Sequence, residues 1–394
     1  MTDPPTASVD PRLVTGLLEA LVGIPSVNPT LVPGGGGEGD VARHLAGVCR
    51  RLDLAVEEEE VAPGRPNVIA VLPGTGGPGG RSLMLNGHTD TVGVAGMDAP
   101  FVPALRGDRL YGRGADDMKS GLAAMVGAAA AVLDAGLRPR GDVVLTFTVD
   151  EEDASIGTAA LARRRRADAA IVTESTGLRI CLAHKGFAWA RIKVEGRAAH
   201  GSDHATGVDA IVQMGRVLGA LERVDREILP RRSHPLLGRP SLHASVIAGG
   251  EGPSTYPPSC DLVVERRMLP DETPDGIRGE LEGILATLRA EDPGFRASVE
   301  ITLSRPGLEM SREAPIVRAL HAAVKRHVGE PGYVGQSPWY DAALLAAAGI
   351  PTVIFGPSGA GAHGAVEFAD VPSVVRCAEV LAQVIIDFCG ADPA

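Results

Sequence analysis

The chain has 394 residues, with 38 Lys+Arg against 49 Asp+Glu and a formal charge of −11. That length exceeds one simple core and implies two domains, or one domain carrying a large insertion. An acidic chain with only 3% aromatics lacks the basic face and stacking rings of a nucleic-acid binder. Hydrophobic residues at 44% and charged residues at 22% fit a folded globular protein rather than a disordered one. The longest apolar run, Gly121 to Leu133, stops at Asp134, well short of the ~20 residues a bilayer requires, so no membrane association is expected. The opening MTDPPTASVD has neither the basic nor the apolar region of a signal peptide. Five scattered cysteines (Cys49, Cys181, Cys260, Cys377, Cys389) without a C-x-x-C spacing read as reduced core thiols. A cytoplasmic location is therefore expected.

In chain order, Pro4 to Pro11 reads as a loose arm, followed by a helix over Arg12–Leu21, a flexible loop at Gly34–Gly37 and a helix over Asp40–Leu52. Strands follow at Val68–Leu72 and Ser82–Leu85. Between them, LPGTGGPGGR lacks the G-K-[ST] ending of a phosphate-binding loop and reads as a turn. A small-residue helix spans about Ser120–Leu133, with strands at Val143–Thr148 and Ala169–Thr173. Such alternation predicts an α/β layer with a mostly parallel sheet. From about Lys185 the rhythm changes. Strand Phe187–Glu195, helix Val208–Leu221, strands Leu242–Ala248 and Leu262–Met268, helix Thr273–Leu288 and strand Arg296–Leu303 give the order βαββαβ of a ferredoxin-like unit. Helices Ala314–Val328 and Asp341–Ala348, strand Thr352–Phe355 and helix Pro372–Phe388 then resume the α/β style. The expected organisation is a catalytic domain over 1–184 and 305–394, interrupted by an inserted α+β domain over 185–304. The charge runs Glu57–Glu60 and Arg163–Arg166 read as solvated surface.

Four predicted strands run into metal-ligand residue types. The first leads to His88 and Asp90, the second to Glu151 and Glu152, the third to Glu174, and the fourth, through a Gly-rich loop, to His363. In open α/β sheets the ligand crevice lies beyond the carboxyl ends of the strands, where these side chains can converge. Asp117, just ahead of the small-residue helix, is a fifth candidate ligand position. Histidines and carboxylates without thiolates suit zinc, cobalt or manganese, and a carboxylate between two cations can bridge them. Two divalent ions would clamp a hydrolytic water and polarise an amide carbonyl. The i, i+2 spacing of His88 and Asp90 lets Asp90 hold the imidazole tautomer. Adjacent Glu151 and Glu152 must diverge, so one can bind metal while the other serves as general base. The plain alternative is a Glu pair opening a helix near its positive end.

Taken together, GHTDTV (87–92), YGRGADDMKSG (111–121), DEE (150–152) and GPSGAGAHGAVEF (356–368) resemble the dinuclear zinc hydrolases that include acetylornithine deacetylase, succinyl-diaminopimelate desuccinylase, aminoacylase and glutamate carboxypeptidase. The resemblance spans nearly the whole chain. It implies that His88 and Glu174 hold one zinc and Glu152 and His363 the other, with Asp117 bridging, Asp90 orienting His88 and Glu151 as general base. It further implies that the inserted domain is lid and homodimer interface, that His200 in VEGRAAHGS reaches the partner's site to steady the oxyanion, and that Arg267 in ERRMLP binds a substrate carboxylate. An interdomain ion pair is the alternative for Arg267.

Three positions depart from the family pattern: Ser175 stands where proline is usual, His204 likewise, and Ser254, a candidate substrate contact, where asparagine is common. Asp116 also occupies a place where alanine is frequent. The reading is a metal-dependent amidohydrolase acting on an N-acyl amino acid or a small peptide-like amide. A dipeptidase or glutamate carboxypeptidase of the same family is the nearer alternative, and a non-catalytic binding protein on the same fold the more distant one.

Overall fold

The computed structural model describes residues 6–393, so the first part of the arm expected at Pro4–Pro11 lies outside the described residues. The chain forms two compact units, one of Met1–Leu182, Met310–Val334 and Tyr340–Ala394, the other of Ala183–Glu309 with Gly335–Trp339.

In the larger unit a mixed sheet runs in the order Ala55–Ala62, Arg65–Leu72, Val143–Thr148, Leu83–His88, Ala169–Val172, Thr352–Ile354 and Ile180–His184. The four strands from Val143–Thr148 to Thr352–Ile354 are parallel neighbours. The expected parallel character thus belongs to the centre of the sheet, while Ala55–Ala62, Arg65–Leu72 and Ile180–His184 are antiparallel to their neighbours. The central strands are buried along their whole length, as a sheet covered by helices on both faces requires.

Helix Pro11–Gly23 starts on the Asp10 side chain, which accepts the Arg12 N–H at 2.8 Å, with proline at its first turn. Helix Ser120–Asp134 carries Gly and Ala on nearly every face and is buried almost throughout, packed against helix Val371–Cys389. Its small residues permit close approach: a Cβ on Gly121 would lie 2.1 Å from the Thr173 carbonyl oxygen. This contact seats the helix start against the strand end that carries Glu174.

The acidic run reads differently in three dimensions. Glu57–Glu60 lies on an edge strand, where Glu57 and Glu59 pair with Arg165 and Arg164 of the second charge run. Charge on an edge strand also deters pairing with other chains.

The smaller unit has the expected βαββαβ order. Its strands, Gly186–Glu195, Ser241–Gly249, Ser259–Met268 and Arg296–Arg305, form an antiparallel sheet with the first and third in the middle. Alternate residues Ala188, Ala190, Ile192 and Val194 face helices Ala210–Arg223 and Pro274–Glu291, whose Met214, Val217, Leu281 and Leu285 complete a core of its own. All five cysteines are buried and none forms a disulfide, and among the described residues no helix is long and apolar enough to cross a membrane.

Candidate metal centre

The parallel centre of the sheet sets the site. Because four adjacent strands point the same way, their carboxyl ends deliver His88, the Asp150–Glu152 turn, Glu174 and the loop to His363 to one edge. His88, Asp117 and Glu174 place one donor atom each within 4.8 Å of one another, and Asp117, Glu152 and His363 do the same. Asp117 is common to both groups. Its Oδ1 lies 3.1 Å from His88 Nε2 and its Oδ2 3.3 Å from His363 Nε2. His363 Nε2 is also 3.0 Å from Glu152 Oε2, and His88 Nε2 is 3.6 Å from Glu174 Oε1. Glu151 Oε2 lies 3.9 Å from His88 Nε2, beside the donors rather than among them.

The electrostatics of this cluster call for positive charge. Burial pushes the carboxyls of Glu151 and Glu174 well above the usual range, and neighbouring carboxylates add to it. Burial works against a charged His88, but its hydrogen bonds to Asp117 and Asp90 and the nearby Glu174 and Glu151 outweigh it and raise the imidazole. His363 rises to about 10 through Asp117 and Glu152. Glu152 Oε1 and Glu174 Oε1 are buried with no hydrogen-bond partner. Orphaned carboxylate oxygens, beside histidine nitrogens already facing acids, fit a pair of divalent cations better than any arrangement of protons. The donor set of nitrogen and oxygen suits zinc, cobalt or manganese.

Asp90 does more than orient His88. The acceptor nearest His88 Nδ1 is the Asp90 main-chain oxygen at 3.0 Å, with the carboxylate Oδ1 at 3.5 Å. The carboxylate instead accepts the amide N–H groups of both Glu151 and Glu152, each at 3.1 Å. It thereby fixes the divergence of the two glutamates that their adjacency demands. Asp150 ahead of them has φ +70°, a turn conformation rare outside glycine, asparagine and aspartate.

Several supporting residues escape sequence reasoning. Asn28 Nδ2 donates to Asp90 Oδ2 at 2.8 Å and to Asp150 Oδ1 at 3.0 Å. Buried Arg65 pairs with Glu38 at 2.5 Å and Asp150 at 2.8 Å. Buried Glu367 accepts the amides of Asp116 and Asp117 on Oε1, and on Oε2 the amide of Gly114 and Arg113 Nη1 at 2.5 Å. Its place four residues after His363 was the available signal. The Asp117–Met118 peptide within this loop is cis.

Asp116 turns away from the donors. Its Oδ1 accepts the Ser175 O–H at 2.6 Å, and a Cβ on Gly359 would lie 2.2 Å from that oxygen. Two of the departures from the family pattern therefore touch one another.

The remaining sequence candidates lie in the smaller unit. His200 and Ser254 share a loop pairing, with the Gly201 N–H donating to the Ser254 carbonyl at 2.7 Å. The His200 ring is exposed, its Nδ1 2.8 Å from Ser202 Oγ. Arg267 pairs with Glu265 of its own strand at 3.0 Å. His204 is exposed.

Comparison with known proteins identifies the family. Residues 84–387 fit the model of peptidase family M20/M25/M40. The chain is 32% identical over 335 residues to an acetylornithine deacetylase of Myxococcus xanthus, covering 82% of this chain and 84% of that protein. Among solved structures, aminopeptidase PepT of Bacillus cereus superposes with TM-score 0.80 at 21% identity, over 96% of this chain and 98% of that one. A dinuclear metal-binding M20 peptidase of Bacillus subtilis superposes with TM-score 0.74 at 15% identity, over 95% and 97%. The chain belongs to the M20/M25/M40 peptidase family and is a metal-dependent hydrolase of amide bonds.

Proposed function

We propose that the protein removes the acyl group from an N-acyl amino acid, with His88 and Glu174 holding one zinc ion, Glu152 and His363 the other, and Asp117 bridging. The observation that carries this reading is the sharing of the two Asp117 oxygens between two three-residue donor groups. When bound, the ions supply Lewis acidity to the scissile carbonyl and acidify the attacking water.

Glu151 is the general base: it is buried, its carboxyl is raised by that burial, and it stands beside the donors without belonging to them. It takes the proton of the attacking water and returns it to the departing amine. Asp90 holds the Glu151 backbone in place for both transfers. On the resemblance, His200 steadies the oxyanion, and Arg267 and Ser254 meet the substrate. The deacetylase relative supports the acyl-amino-acid class.

A cytoplasmic homodimer completes the proposal. Five buried cysteines without a disulfide support a reducing compartment. The edge strand Ser241–Gly249 supports pairing between copies, because it is exposed from His243 on and carries Val246 and Ile247 at 60% and 52% exposure.

The test is amine release from a panel of N-acetyl, N-succinyl and N-formyl amino acids and dipeptides, with zinc supplied. Cleavage confined to N-acyl amino acids bears the proposal out. Cleavage confined to dipeptides replaces it with a peptidase.

A further inference from the structure

One hydroxyl joins two of the donor-bearing segments of the larger unit. Ser175 directly follows Glu174, and Asp116 directly precedes Asp117. The Ser175 O–H faces two acceptors on that one residue, the Asp116 carboxylate Oδ1 at 2.6 Å and the Asp116 main-chain carbonyl at 2.9 Å. That carbonyl belongs to the peptide that leads into Asp117. The N–H of the same peptide is held from elsewhere, by Glu367 Oε1 at 3.1 Å. Both polar ends of the Asp116–Asp117 peptide are therefore fixed, one of them to the residue beside Glu174.

A third segment rests on the same carboxylate. A Cβ on Gly359 would lie 2.2 Å from Asp116 Oδ1 and 2.6 Å from the Phe368 carbonyl, so only glycine lets the chain on its way to His363 lie against it. Just before, the Gly356 N–H donates to Thr176 Oγ1 at 3.0 Å, and the Pro357 carbonyl accepts the Thr176 and Gly177 amides at 3.2 and 2.9 Å. The loop that supplies His363 is thus pinned to the residues after Glu174.

Packing alone does not account for this arrangement. Asp116 is buried and feels the like charge of Asp117 and Glu367. An apolar side chain would fill the place at lower cost. Metal donors, in contrast, must be held to about 0.5 Å, which calls for supports of this kind.

We propose that Ser175 and Asp116 are positioning residues of the metal centre. The Ser175 hydroxyl sets the spacing of Asp117 and Glu174, and with it the affinity of the His88–Asp117–Glu174 group for its cation. The group of Asp117, Glu152 and His363 shares only Asp117 with this tie and depends on it less. The inference rests on the donor assignment given under Proposed function, and not on the substrate class proposed there.

The test is stepwise zinc titration of the whole, metal-stripped chain against a chromogenic chelator, with melting of the same metal-free samples. The wild type should take up two zinc ions. Ser175→Ala should weaken one of them at least tenfold, within the 10–100-fold range of outer partners, and the other less than threefold. In Asp116→Asn the side-chain carbonyl accepts the same hydrogen bond, so both ions should stay within threefold of the wild type. Asp116→Ala leaves no orphaned carboxylate and serves where Ser175→Ala fails to fold. It should lose at least fivefold at one ion.

Unchanged zinc affinity in the alanine variants, whatever their melting temperatures, overturns the proposal and reduces the pair to a packing contact. Equal losses at both ions overturn it as well. So does a loss in Asp116→Asn as large as in Ser175→Ala, since charge and not the hydroxyl's bond would then be at work. A wild-type chain that binds no zinc, cobalt or manganese removes the donor assignment and the positioning role together. Zinc bound normally by a chain that cleaves no N-acyl amino acid removes only the substrate class, and the variants still decide the tie.

Discussion

The Glu367 carboxylate accepts the Asp117 amide N–H at 3.1 Å, tying the segment that follows His363 to the loop that carries the shared carboxylate. The same oxygen accepts the Asp116 amide at 2.9 Å, and the other oxygen is held by Arg113. Glu367 thus fixes two donor-bearing segments with one buried side chain.

Glu367→Gln should weaken that clamp without touching a donor. Loss of an outer partner of this kind typically costs 10–100-fold in metal affinity. Competition against a chromogenic chelator reads the effect directly, and unchanged affinity would reduce Glu367 to a packing role.

Glu151→Gln preserves size and leaves both donor groups intact. Metal content should stay at the wild-type level while kcat falls at least ~100-fold, the scale of a positioned general base. Near-normal turnover would remove Glu151 from the mechanism.

Asp116 and Ser175 should behave as one unit. Ser175→Ala leaves a buried carboxylate short of a donor, at a cost of about 1–3 kcal/mol. Asp116→Ala in the same chain removes the orphan, so the double variant should be less destabilised than the sum of the singles. Calorimetric melting of the four proteins closes the cycle.

His184 makes stability depend on pH. Burial holds its imidazole down to about 4, below the ~6.5 of an unfolded chain. As pH falls, the unfolded state takes up the proton first, so this contribution is whole above pH 6.5 and is lost between 6.5 and 4. The total is on the order of 3 kcal/mol. Denaturant titrations at pH 7 and pH 5 should show a smaller loss for His184→Gln than for the wild type.

How much of this was legible in the sequence follows from distance along the chain. His88, Asp117, Glu151, Glu152, Glu174 and His363 lie at strand ends or in short strings whose residue types announce ligand chemistry. Asn28, Glu38 and Arg65 carry no such string, and their roles arise only because folding brings residue 28 to Asp90 and residue 65 to Asp150. The strand Ala55–Ala62 was hidden by its four glutamates, since period-2 burial cannot show in a run of one charge. Helix Ile156–Arg164, which the sequence does not announce, opens on Ser155 in a left-handed turn and buries only the side chains of Thr158, Leu161 and Ala162, too few for a clear helical stripe. The antiparallel flanks of the sheet depend on how loops return the chain, which strand composition does not encode.

The donors span residues 88 to 363, and this has a consequence for how the protein comes into being. During synthesis at the usual ~5–20 residues per second, tens of seconds separate the emergence of His88 from that of His363. In that interval His88, Asp117 and Glu174 are already made, while the second donor group still lacks its histidine. Asp117 belongs to both groups and its loop is held by Glu367, so neither half of the centre is in place until nearly the whole chain has emerged.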